Sequence, residues 1–194
     1  MMLARILRLT AIAAVMLSAM MLDGCIPLVM TGVGAGALVA TDRRSAGTQL
    51  DDEIIEDKIL TTVVDRYRND AHVNVTSYNG NVLLTGEVPT ERARSDVLDI
   101  ARTTAKVRTV QSELVVGPVT DLGSRSNDTL ITSKVKARFV EAQKFQINHV
   151  KVVTERGTVY LLGVVRRDEG DAAADIARTT SGVQRVVKVF EYTS

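Results

Sequence analysis

Hydrophobic positions in this 194-residue chain change their period in a fixed order, and they do so twice. Ile55, Ile59 and Val63 recur every four residues, which predicts a helix with one buried stripe. Val73 and Val75, then Val82, Leu84, Gly86 and Val88, alternate on either side of Tyr78-Asn79-Gly80, a spacing that predicts a hairpin turning at Asn-Gly. Helical spacing returns at Val97, Ile100, Ala101 and Thr104, after Pro89 and after Thr90, which has the side chain of an N-cap. Alternation from Val110 to Val116 supplies a third strand. The order is helix, strand, strand, helix, strand.

The same order returns at a spacing of about 76 residues. Asp52, Ile55, Lys58 and Ile59 match Asp128, Ile131, Lys134 and Val135, and His72-Val73-Asn74-Val75 matches His149-Val150-Lys151-Val152. Gly80, Val82, Leu84, Gly86 and Val88 match Gly157, Val159, Leu161, Gly163 and Val165, and Asp99 to Thr104 reappears unchanged as Asp175 to Thr180. A period this long exceeds a solenoid unit, so each copy is expected to be a domain. The fold class is therefore α+β: two tandem domains, each with its helices packed on one face of a three-stranded sheet. The expected boundaries are 1–24 for a leader, 25–50 for a tether, 51–116 and 127–194 for the two domains, and 117–126 for a linker.

The leader carries Arg5 and Arg8, an apolar run from Leu9 to Leu22, and Gly24 immediately before Cys25, the single cysteine of the chain. A basic start, an apolar run and a small residue before cysteine form a bacterial lipoprotein signal, with Cys25 as the lipid-bearing mature N-terminus. The run is interrupted by Asp23 and is short for a membrane span. Ile26 follows the cysteine where an inner-membrane retention signal would place aspartate, so the resemblance to Gram-negative lipoproteins implies outer-membrane delivery, facing the periplasm. The Gly-, Ala- and Val-rich residues from Ile26 to Ala40 form either a flexible tether or a segment lying on the membrane or the first domain.

Composition narrows the function. Tryptophan is absent, and 24 Lys and Arg nearly cancel 23 Asp and Glu, which excludes a generally basic, nucleic-acid-binding surface. No disulfide can form within a chain whose one cysteine is acylated. His72 and His149 stand one per copy without cysteine partners, so neither a metal site nor a cofactor is expected. No serine, aspartate or glycine-rich segment falls in a catalytic or phosphate-binding signature, so no catalytic residue is assigned and an enzyme is not expected.

The Gly-x-Val-x-Leu-x-Gly strands at Gly80 to Gly86 and Gly157 to Gly163, with Val-x-x-Val at Val107 to Val110 and Val183 to Val186, resemble BON domains. Two such copies behind a lipoprotein signal and the stretch Thr41-Asp42-x-Arg44-Ser45-x-Gly47-Thr48-Gln49-x-Asp51-Asp52 are similar to the dual-BON outer-membrane lipoproteins of the DolP type. The resemblance implies a non-enzymatic protein that binds anionic phospholipid and helps keep the outer membrane intact.

The two opening helices differ in charge. The first carries Asp51, Asp52, Glu53, Glu56, Asp57 and Asp65 against Lys58, Arg66 and Arg68, whereas the second carries Lys134, Lys136, Arg138 and Lys144 against Asp128 and Glu141. An anionic bilayer attracts basic side chains by about 1 kcal/mol each, so only the second helix suits it. With Ile131, Val135 and Phe139 turned inward, Leu130, Lys134 and Arg138 fall along one flank and are the candidate phospholipid contacts. The alternatives are a solvated basic face, or an adaptor whose first domain docks an envelope enzyme or assembly machine through its acidic helix or an exposed sheet.

Overall fold

The computed structural model describes residues 42–193, so the leader, Cys25 and most of the tether lie outside the described residues. The first copy is α1 (Ala46–Tyr67), β1 (His72–Tyr78), β2 (Asn81–Val88), α2 (Glu91–Thr103) and β3 (Thr109–Val116). The second is α3 (Leu122–Ala142), β4 (Val150–Glu155), β5 (Thr158–Val165), α4 (Arg167–Arg178) and β6 (Arg185–Tyr192). In each, an antiparallel hairpin is followed by a helix that carries the chain over to a third strand, parallel to the second. The expected α+β fold with helices on a three-stranded sheet is the observed one.

Both opening helices begin a few residues ahead of the expected domain starts. Helix α1 starts at Ala46, inside the stretch 25–50 read as tether, and α3 starts at Leu122, inside the stretch 117–126 read as linker. The reason is capping: Ser45 Oγ accepts from Thr48 N at 3.0 Å and an Asp121 carboxylate oxygen accepts from Ser124 N at 3.0 Å. Each satisfies an amide that a helix start leaves open, and so draws a polar, glycine-containing stretch into the helix. Thr90 caps α2 as its position predicts, accepting from Ala93 N at 3.1 Å.

Each copy closes its own core. Ile55, Ile59 and Val63 of α1 and Val97 and Ala101 of α2 are buried over Val82, Leu84 and Val88, and Ile131, Val135 and Phe139 of α3 occupy the same place in the second copy. Both hairpins turn through two left-handed residues, Asn79-Gly80 (φ 55° and 73°) and Arg156-Gly157 (φ 50° and 71°), the pair that a right-twisted two-residue hairpin requires. Gly86 has a second purpose: a Cβ there would lie 2.0 Å from the carbonyl oxygen of His72, so β1 approaches β2 only because the side chain is missing.

The faces of the two sheets that the helices leave uncovered pack against each other. Tyr78, Leu83, Tyr160 and Leu162 are buried between them, with Val153, Val164, Val187 and Val189 around. The layers run helices, sheet, sheet, helices. Burying Leu83 and Leu162 contributes about 2 kcal/mol each. Polar pairs surround this apolar centre: Asn79 and Arg108 reach Glu191 at 2.9 and 3.0 Å, and Arg185 reaches Glu113 at 3.2 Å.

The residues just before α1 strap the two domains together. Arg43 forms two hydrogen bonds to Glu169, at 2.6 and 3.0 Å, and a third to the carbonyl of Val164 at 2.9 Å. Arg44 turns to the first domain, bridging Asp42 and Asp52 at 2.9 and 2.8 Å while its guanidinium stacks 3.8 Å from the centre of the Tyr78 ring.

Candidate functional site

Helix α3 has three distinct faces, and the four-residue spacing of its apolar positions decides which side chains look outward. Ile131, Val135 and Phe139 point into the core. Leu130, Ser133, Ala137 and Val140 follow one line on the far side, and Leu130 and Val140 are 59% and 58% exposed. Lys134 and Lys136 stand exposed on the two flanks of that line. The result is a narrow apolar ridge between lysines, the arrangement by which a surface helix rests in the headgroup region of an anionic membrane. Among the described residues, no helix is long and apolar enough to cross a membrane.

The structure separates the three residues chosen from sequence. Leu130 and Lys134 are exposed and adjacent. Arg138 is half-buried instead: its Nη1 donates to the carbonyl of Ile176 at 2.9 Å and to Thr180 Oγ1 at 2.8 Å. It neutralises carbonyl groups at the end of α4, where a helix concentrates partial negative charge. Reversing it therefore strains the fold as well as the surface charge. Lys136 and Val140 belong to the outward face and were not among the chosen residues. Extending the period from the core positions to the opposite side of the helix would have found them.

Helix α1 has the matching ridge. Ile54, Asp57, Thr61 and Val64 take the places of Leu130, Ser133, Ala137 and Val140, and Ile54 and Val64 are exposed, as are Leu50 and Leu60. Its surroundings are acidic, with Glu53, Asp57 and Asp65 exposed. Part of the acidity read from sequence is turned to structure. Asp51 pairs with Lys106 at 2.5 Å, and Glu56 holds both Ser77 N and Lys151 at 2.7 Å.

Asp52 is buried. It accepts from Ser77 Oγ at 2.6 Å and from Asn79 N and Gly80 N, each at 2.8 Å, and so pins the hairpin turn. Burial pushes its carboxyl upward, but these hydrogen bonds and Arg44 outweigh burial and hold it below the ordinary value. Asp128 pins the second turn through Arg156 N and Gly157 N, at 2.7 and 2.8 Å.

The BON domain family model matches residues 51–118 and again residues 127–194. The chain is 42% identical to "Outer membrane lipoprotein DolP" of Haemophilus influenzae over 88% of its own length and 90% of the relative's. It is 36% identical to the "21 kDa hemolysin" of Actinobacillus pleuropneumoniae over 78% of this chain and 79% of that one. Identity to "Osmotically-inducible protein Y" of Escherichia coli is 28%, over 80% of each. A solved C-terminal domain of CdsD, from the type III secretion system of Chlamydia trachomatis, aligns with 71% of the chain at 11% identity and a TM-score of 0.31.

Proposed function

Because the chain belongs to the BON-domain family, as a dual-BON outer-membrane lipoprotein, we propose that its second domain rests on anionic phospholipid through α3 and so supports envelope integrity. The observation that carries this reading is the contrast between two matched ridges: Ile54 and Val64 stand among carboxylates, Leu130 and Val140 among lysines. Each lysine at an anionic surface contributes about 1 kcal/mol. Shallow insertion of two apolar side chains adds a comparable amount, so the contact is weak by itself. A lipid on Cys25 supplies the standing attachment, and α3 then sets which side of the protein meets the bilayer.

Co-sedimentation of the mature, unlipidated chain with neutral and with anionic vesicles tests this. The protein should follow only the anionic vesicles, and less so as salt rises. Equal retention by both kinds, or by neither, would overturn the reading.

A second reading has its own observation. The ridge of α1 keeps Leu50, Ile54, Leu60 and Val64 exposed in acidic surroundings that an anionic membrane repels, so this helix suits a basic, apolar protein surface. Under it, Ile54→Asp would impair envelope function and leave vesicle binding unchanged.

A further inference from the structure

Where the two domains meet, β1, β2 and β4 bring together an imidazole and two carboxylates. His72, Glu87 and Glu155 each offer one ligand atom, and the three atoms lie within 4.8 Å of one another. His72 Nδ1 is 3.2 Å from Glu87 Oε2. Ligand atoms around one tetrahedral zinc ion stand about 3.4 Å apart, which follows from bonds of about 2.0–2.2 Å. One pair is thus already at the required separation, and the third atom needs to close by roughly an ångström to match that spacing. We propose that His72, Glu87 and Glu155 form a site for a divalent transition-metal ion, with Zn2+ the best match, that staples the first domain to the second.

Three observations support a cation here rather than a plain hydrogen-bonded cluster. Both carboxylates are buried, Glu87 at 0% and Glu155 at 6% exposure, which is costly for charge without a compensating partner. Glu87 has such partners in the Thr120 hydroxyl and amide and in His72. Among the described residues, Glu155 has only the neutral side chain of Asn74 at 2.7 Å and a long contact to Thr85 as hydrogen-bond partners. Arg125 of α3, which lines the adjoining cleft, has its Nε and Nη2 turned to the carbonyl of Thr120.

The third observation is access. A cleft of about 510 Å3 lined by His72, Asn74, Arg125, Asp128, Lys136 and Glu155 reaches two of the three ligands, with Glu87 buried outside its lining, so an ion would enter on the His72 and Glu155 side and keep water in its remaining positions. An imidazole ligand favours Zn2+ over the hard cations Mg2+ and Ca2+, which prefer all-oxygen sites. Considered one domain at a time, the sequence offers only a single histidine and no site. The ligand set exists because Glu155 comes from the other copy.

The test uses the mature chain without an affinity tag, titrated with ZnCl2 or MgCl2 and followed by equilibrium dialysis, thermal unfolding and the imidazole NMR resonances. The chain has only two histidines, so each resonance is assignable. The proposal expects one Zn2+ per chain, a rise in unfolding temperature with Zn2+ but not Mg2+, and a shift of His72 with His149 unmoved. Glu155→Gln retains an acceptor for Asn74, so without metal it should be as stable as the unmodified protein or more so, while binding Zn2+ at least tenfold more weakly. No stoichiometric Zn2+ on the unmodified chain, a shift of His149 instead of His72, or unchanged affinity in Glu155→Gln would each overturn it.

Discussion

Asp52 and Asp128 show how one residue ties the elements of a copy together: each carboxylate reaches from the opening helix to the amides of its hairpin turn. Asp52 has more partners, including Ser77 and Arg44, so Asp52→Ala should cost about 3 kcal/mol and Asp128→Ala about 2 kcal/mol, measured by urea unfolding at pH 7. The Asp52 carboxyl titrates below its ordinary value when folded, so its contribution is complete above about pH 4 and disappears as pH falls through the folded value. The gap between the unmodified protein and Asp52→Ala should therefore narrow at pH 3. The repeat made both aspartates visible in the sequence. Their role was not visible, because a count of helix charges takes each one as exposed, and the turn that Asp52 serves lies more than twenty residues away.

At the scale of elements, periodicity found the helices and the core side of each, since Ile55, Ile59 and Val63 and their counterparts are buried where the four-residue spacing places them. It also separated Leu130 and Lys134 from the core. It could not separate Lys134 from Arg138, because they share a flank and differ only in what lies beside them: solvent in one case, the end of α4 in the other. Arg138→Ala should cost about 1–2 kcal/mol of stability, and Lys134→Ala less than about 0.5 kcal/mol, in thermal or chemical unfolding of the mature chain. Equal costs would mean that Arg138 does not cap α4. The starts of α1 and α3 were hidden for a related reason: glycine and polar residues read as linker until Ser45 and Asp121 are seen capping them.

At the scale of the whole molecule, the repeat predicted two domains but not how they meet. Leu83 and Leu162 look like ordinary strand residues on a face that could be open to solvent, yet both are buried between the sheets. Leu83→Ala should thus cost about 2–4 kcal/mol although the side chain lies outside its own domain's core, as calorimetry of the full mature chain would measure. A loss under 1 kcal/mol would mean the sheets part readily. With the domains held by this seam and by the Arg43 strap, the α1 and α3 ridges belong to separate outer helical layers.

Whether the basic ridge of α3 is the membrane contact is decided most directly by one comparison of partition onto anionic vesicles at low salt. Lys134→Glu with Lys136→Glu reverses the exposed flanks of the ridge, and Arg92→Glu with Arg102→Glu makes the same change in net charge on exposed positions of α2. The α3 pair should bind at least about tenfold more weakly, and the α2 pair should stay near the unmodified protein. Equal weakening by both pairs would show that only total charge matters, and would contradict a specific contact through α3.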